Sequence, residues 1–140
     1  MKPSGNSRHF LLALGLALVA YGACFGFIQH RRVAKGPWEV TFTNEAGAPV
    51  LVVNQTKLGI ANVRIVFACQ TAPTNVTQTV RFAQARAVPF DVPFGNCVFL
   101  DLLFLPGTVA FEVFGYQIQL LPRVLTIDRV ERPWRSGETI

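Results

Sequence analysis

Nineteen consecutive residues, Phe10 to Ile28, carry no charge. As an α-helix rising about 1.5 Å per residue, such a run reaches about 28 Å, close to the roughly 30 Å of bilayer hydrocarbon. Lys2 and Arg8 precede it and Arg31, Arg32 and Lys35 follow it, as expected where cations snorkel to lipid headgroups. The sequence therefore predicts one transmembrane helix over residues 10–28, a short basic segment over 1–9 and a basic juxtamembrane linker over 29–36. The competing reading is a cleaved secretory signal. Its apolar core is usually about 7 to 15 residues long and ends in an Ala-x-Ala-like site. Here the run is longer, and the best candidate site, Ala20-Tyr21-Gly22, lies inside it. Cys24 follows the small residues Gly22 and Ala23, as a lipoprotein cysteine would, but Tyr21 stands where a branched or small residue is wanted. An uncleaved anchor fits the pattern better.

The formal charge of +5 resembles a nucleic-acid signal until its distribution is followed. Residues 1–35 hold five cations and no acid, whereas residues 36–140 hold eight of each. Displacing counterions from a polyanion requires a cationic surface, which a formally neutral domain does not provide on average. Nucleic acid is thus not an expected partner; the lipid bilayer is. The residues after the linker suit one small domain with a single core.

Beyond the anchor, helical periodicity gives way to short β-type runs. In Trp38 to Thr43, Trp38, Val40 and Phe42 share one face while Glu39, Thr41 and Thr43 share the other, the alternation of a half-buried strand. Similar runs follow at 50–53, 63–68, 76–82, 97–104, 108–114, 116–121 and 124–128, punctuated by Asn44–Gly47, Thr71–Pro73, Pro93–Asn96 and Pro106-Gly107. Seven to nine short strands at about ten-residue spacing predict an all-β domain over 37–140, an antiparallel sandwich, jelly roll or small barrel. Val-Pro-Phe occurs twice, at 88–90 and 92–94. Proline lacks the N–H of a central ladder, so this stretch is expected as an edge strand or ordered loop. Cys97 to Leu105 is almost uninterruptedly apolar and reads as a central strand buried on both faces, with Asp101 as a buried carboxylate in need of donors. Order is expected nearly to the C-terminus, with residues 135–140 fraying.

Both histidines, His9 and His30, flank the anchor, which leaves the domain with none. That removes Ser-His-Asp and Cys-His catalysis and every histidine-containing metal site from the domain. No phosphate loop, dinucleotide fingerprint, EF-hand loop or paired CxxC occurs, and no cofactor or metal is expected. Asp91, Asp101 and Glu112 leave a carboxylate hydrolase formally open as a remote reading. Cys69 and Cys97 end and begin strand-like runs, and a disulfide between them would contribute roughly 3 kcal/mol in an oxidising compartment. The alternative is two buried thiols. The sequons Asn54-Gln55-Thr56 and Asn75-Val76-Thr77 matter only in a eukaryotic secretory pathway.

Three cations follow the apolar run and two precede it, a slight bias toward a cytoplasmic domain. The candidate disulfide, the sandwich pattern and the signal-like N-terminus favour instead an extracytoplasmic or periplasmic domain. Gly15, Gly22 and Gly26 lie near one helix face, where small residues permit close approach of another helix. The leading expectation is a non-catalytic accessory subunit of a larger membrane complex. Its anchor packs through these glycines and its β-domain braces an extramembrane surface, with Phe90, Phe94 and Trp134 as the candidate contact. The alternative is a tethered module that presents Trp38, Trp134, Tyr116 or the Val-Pro-Phe loops to a glycan or peptide.

Overall fold

Two local signals stop the first helix. His30, Arg31 and Arg32 occupy the last turn of α1 (Gly5–Val33), where positive charge complements the carbonyl end of the helix. Gly36 then adopts a left-handed φ of 70° and its N–H donates back to Val33 O at 3.0 Å; Pro37, next in line, cannot extend the helix. The structure, a computed structural model, describes residues 5–72 and 77–140. At 29 residues, α1 is about 43 Å long and extends past the charge-free run at both ends, taking in Arg8 and His30 to Arg32. It is long and apolar enough to cross a membrane, and none of its residues is buried within the protein. Residues 33–140 form a separate unit.

Among its described residues that unit has ten strands: β1 (Glu39–Glu45), β2 (Ala48–Gln55), β3 (Ile60–Val66), β4 (Gln78–Arg81), β5 (Phe90–Val92), β6 (Gly95–Asp101), β7 (Thr108–Val113), β8 (Tyr116–Leu120), β9 (Val124–Ile127) and β10 (Val130–Pro133). They form two antiparallel sheets, one of four strands in the order β3-β2-β1-β4 and one of six in the order β10-β9-β8-β7-β6-β5. In the first, three hairpin-connected strands are followed by a fourth that returns beside the first, a Greek-key order. The second is an uninterrupted meander. Alternation does what the sequence implied in β1, where Val40 and Phe42 are fully buried between half-exposed polar neighbours. The inner faces meet in one core that joins Trp38, Phe42 and Leu51 of the first sheet to Phe111, Ile118 and Leu125 of the second. The rings of Phe42 and Phe111 cross edge to face at 6.1 Å. Each such side chain withdrawn from water contributes about 1.5–3 kcal/mol.

Three hairpins close on two-residue turns with both residues at positive φ: Ala46-Gly47, Phe114-Gly115 and Asp128-Arg129. This is the twist-matched turn of a tight hairpin. The last contains no glycine or asparagine, and the Asp128 side chain steadies it by accepting from Gln117 N at 2.8 Å. The strand it leads into, β10, is exposed throughout and carries no alternation to announce it. With it and the three-residue β5, the strand count exceeds the seven to nine expected. The run expected at 76–82 is ordered as β4 from Gln78; its first residue, Val76, lies outside the described residues, as does Asn75 of the second sequon.

Two expectations are overturned. Cys97 to Leu105 is not one strand buried on both faces. A bulge between Cys97 and Phe99 resets the alternation, β6 ends at Asp101, and Phe99, Leu103 and Phe104 are exposed. Asp101 is likewise exposed, its Oδ1 accepting from Leu103 N at 3.0 Å. Nor does the C-terminal tail fray. Ser136 Oγ donates to Gly59 O, Gly137 N donates to Ala61 O, and Arg64 N and Val66 N donate to Glu138 O and Ile140 O. The tail runs parallel to β3 and covers an edge that would otherwise offer unpaired groups to another chain. Removing residues 136–140 is expected to cost about 3–6 kcal/mol, at roughly 0.5–1 kcal/mol for each of the six hydrogen bonds that tie the tail to residues 59–66, and to promote self-association. Urea denaturation and light scattering of the truncated chain measure both.

Candidate functional site

The end of the domain where the chain enters it gathers the features that sequence reading scattered. Trp38, fully buried at the start of β1, donates through Nε1 to Gly107 O at 3.0 Å. Its ring lies 5.2 Å from that of Trp134, whose own Nε1 donates to Leu121 O at 2.8 Å. Gln55, also buried, donates through Nε2 to Gly36 O and Pro37 O at 2.9 and 3.0 Å and accepts from Lys57 N through Oε1. Entry segment, last strand and two loops are thereby fastened together. A shallow hollow of ≈170 Å³ lies beside the joint, bordered by Lys35, Glu39 and Arg81, the last two ion-paired at 2.8 Å. Nothing in the sequence marks Gln55 for this task, because its acceptors lie 18 and 19 residues away.

Phe90, Phe94 and Trp134, the candidate partner surface, are half-buried and pack on the core. Phe94 contacts Phe42 and Phe114 at ring separations of 6.0 and 5.5 Å, while Phe90 lies under the Arg86 guanidinium at 4.4 Å. Their place on the edge strand β5 and its turn, with Phe94 at φ 71°, turns them inward. Trp38 offers no open platform for a glycan, since its ring is fully buried, and Trp134 is half-buried against it. Tyr116 is part-exposed and packs on Phe67.

No protein-family model, curated protein or solved structure matches this chain.

Cys24, Cys69 and Cys97 are all free, so the Cys69–Cys97 bridge considered from the sequence is not made. Cys69 is exposed after β3, whereas Cys97 points inward from β6 between Phe90 and Phe111 of the neighbouring strands. Burial pushes the Cys97 thiol above its ordinary value, a rise that the Phe99 backbone and the Arg86 charge oppose. A raised folded value means that stability is intact below the ordinary thiol pKa and falls as pH rises through and above it, because the unfolded thiol ionises first. In the folded protein Cys69 is expected to react with a maleimide at least about 100-fold faster than Cys97. Labelling with and without denaturant, read by peptide mass, checks the ratio.

Asp91 and Glu112 share the outer face of the second sheet, with Asn96 between them in the register. They lie two strand spacings apart, about 10 Å. Asp101 sits at the far end of β6, and all three are exposed. The structure does not gather them into one site. Among the described residues, no group of three or more His, Cys, Asp or Glu side chains is placed to hold a metal ion. Gly15, Gly22 and Gly26 lie within a 40° arc of α1 at 100° per residue, and a Cβ added at any of them meets nothing within 4 Å. A cleft of ≈430 Å³ opens between β4 and β5 and is lined by Phe82, Phe90 and Leu100 with Arg81 and Arg86.

Proposed function

We propose that the chain is a non-catalytic, single-pass membrane protein that serves as an accessory subunit of a larger membrane complex, its β-sandwich bracing an extramembrane surface. The observation that carries this reading is α1 itself. A helix with exposed Leu, Val, Phe and Tyr side chains on every side and no buried residue is stable only where something apolar surrounds it, either lipid or other helices. The glycine arc supports a protein neighbour along one side. Extraction of the native membrane in mild detergent is expected to bring partner subunits down with the chain, and Gly22→Leu with Gly26→Leu to reduce that recovery at least about tenfold by blocking close approach. Solitary elution, unchanged by the two substitutions, would remove the accessory role.

The domain faces the extracytoplasmic side in this reading, the periplasm in a two-membrane bacterium, as the signal-like order of the N-terminus favours. The exposed Cys69 thiol reports it without mutation. A membrane-impermeant maleimide added outside intact cells labels Cys69 if the domain is outside, and labels it only after lysis if the domain is cytoplasmic. A second reading, a tethered module that binds a peptide or glycan, draws on the cleft between β4 and β5, whose apolar floor is flanked by Arg86 and by Arg81, the latter already paired with Glu39. It gains if the chain elutes alone.

A further inference from the structure

The β6–β7 loop, residues 102–107, presents two apolar side chains on a rigid base. Leu102 packs on the core and Pro106 is buried. Gly107, at φ 70°, lets the loop close so tightly that an added Cβ would fall 1.8 Å from Asp101 O, and the Asp101 side chain holds Leu103 N. Between these supports Leu103 and Phe104 stand 60% and 55% exposed, although burying each would contribute about 1.5–3 kcal/mol. Leu103 and Phe104 thus form an adjacent exposed apolar pair at the tip of a well-braced loop.

Strand register places that loop. Asp101 lies opposite Thr108, Val109 opposite Leu120, and Val124 opposite Pro133, so the β6–β7 and β8–β9 loops and Trp134 share one end of the second sheet. The Trp38–Gly107 hydrogen bond and the Trp38–Trp134 contact join that end to the start of β1. This is where the chain enters from the helix, and the five peptide links from Val33 to Trp38 reach no further than about 18 Å. Exposed cations ring the same end: Lys35, Lys57, Arg123 and Arg135. Of the carboxylates there, Glu39 is ion-paired with Arg81, and the exposed Asp101 at the base of the loop still leaves the four cations in excess.

We infer that this end of the domain docks on the bilayer surface, with Leu103 and Phe104 entering the boundary between headgroups and acyl chains and the four cations meeting anionic headgroups. An apolar tip inside a basic ring is the chemistry of an interfacial lipid contact, and the short tether keeps the loop near the surface it would enter. The inference rests on the reading of α1 as an uncleaved anchor.

The test uses the full chain, with Cys24→Ala, reconstituted in phosphatidylcholine–phosphatidylserine vesicles. An environment-sensitive fluorophore is attached either to native Cys69 or, after Cys69→Ser, to Phe104→Cys, and lipids brominated near the top of the acyl chain serve as quencher. The vesicles are first washed in alkali and floated. The expected result is that the chain floats, that the probe at 104 is quenched at least about twofold while that at 69 is not, and that Lys57→Glu with Arg123→Glu reduces the quenching. If the chain floats but the probe at 104 emits as in water, the docking is overturned and the anchor stands. If the alkaline wash strips the chain, the anchor reading falls and the docking with it. Shielding at 104 that appears in native membranes but not in these vesicles overturns the lipid assignment in favour of a protein contact.

Discussion

Gly107→Ala is expected to lower the stability of the domain by about 3 kcal/mol or more, while Gly47→Ala, also at positive φ, costs only about 1 kcal/mol. Both glycines sit in loops at φ 70° and 85° and differ in their surroundings. A methyl group at Gly47 meets nothing within 4 Å, so the cost is that of the left-handed backbone alone. At Gly107 it falls 1.8 Å from Asp101 O and 3.3 Å from Leu102 Cα, both backbone atoms that cannot rotate away. Relief requires the loop to open, and opening it draws Gly107 O from Trp38 Nε1. The chain has two tryptophans, Trp38 and Trp134, adjacent in this joint, so intrinsic fluorescence reports the damage directly. Equal unfolding midpoints for the two variants would show that the close approach is not there.

Phe111→Ala is expected to cost about 3–5 kcal/mol, the range for truncating a buried phenylalanine. Phe111 is fully buried at the centre of the second sheet and touches both Phe42 and Phe82, at ring separations of 6.1 and 5.3 Å. It therefore contributes to the seam between sheets as well as to its own. Domains of this size have net stabilities of only about 5–15 kcal/mol, so the loss lowers the thermal midpoint by more than about 12 °C and brings the variant close to unfolding at growth temperature. Phe99→Ala, a deletion of the same ring from a half-exposed position on the adjacent strand, is expected to stay within about 0.5 kcal/mol. Thermal melts of both variants in the same detergent decide whether the seam lies where the structure puts it.

The contrast between these phenylalanines also explains how far the sequence could be read. Trp38, Val40 and Phe42 alternate with polar residues and fold as that alternation requires, and the antiparallel all-β character of residues 37–140 was visible from many such runs, whereas the choice of two sheets over a closed barrel was not. Cys97 to Leu105 misled because an apolar run has no period to read: nothing in it shows that a bulge at Val98 turns Phe99 outward or that the strand ends at Asp101. β10 was invisible for the opposite reason, an exposed strand with no apolar face, entered through a turn whose left-handed residues are Asp128 and Arg129. The fastening of Gly36 and Pro37 by Gln55 and of Trp38 by Gly107 depends on partners distant in the chain. The joint could be recognised only once the sheets were assembled.

The position of β1 has a mechanical consequence. The strand that continues directly from the entry segment lies inside its sheet, paired with β2 from Glu39 to Glu45 and with β4 from Glu39 to Phe42. Tension applied at Trp38 along the axis of β1 would load these two ladders in shear, all their hydrogen bonds at once, instead of peeling an edge strand away one bond at a time. Forced extension is governed by the rate of crossing the unfolding barrier rather than by equilibrium stability. A domain pulled in this way would yield at a rate set by breaking both ladders together, which its net folding free energy alone does not indicate.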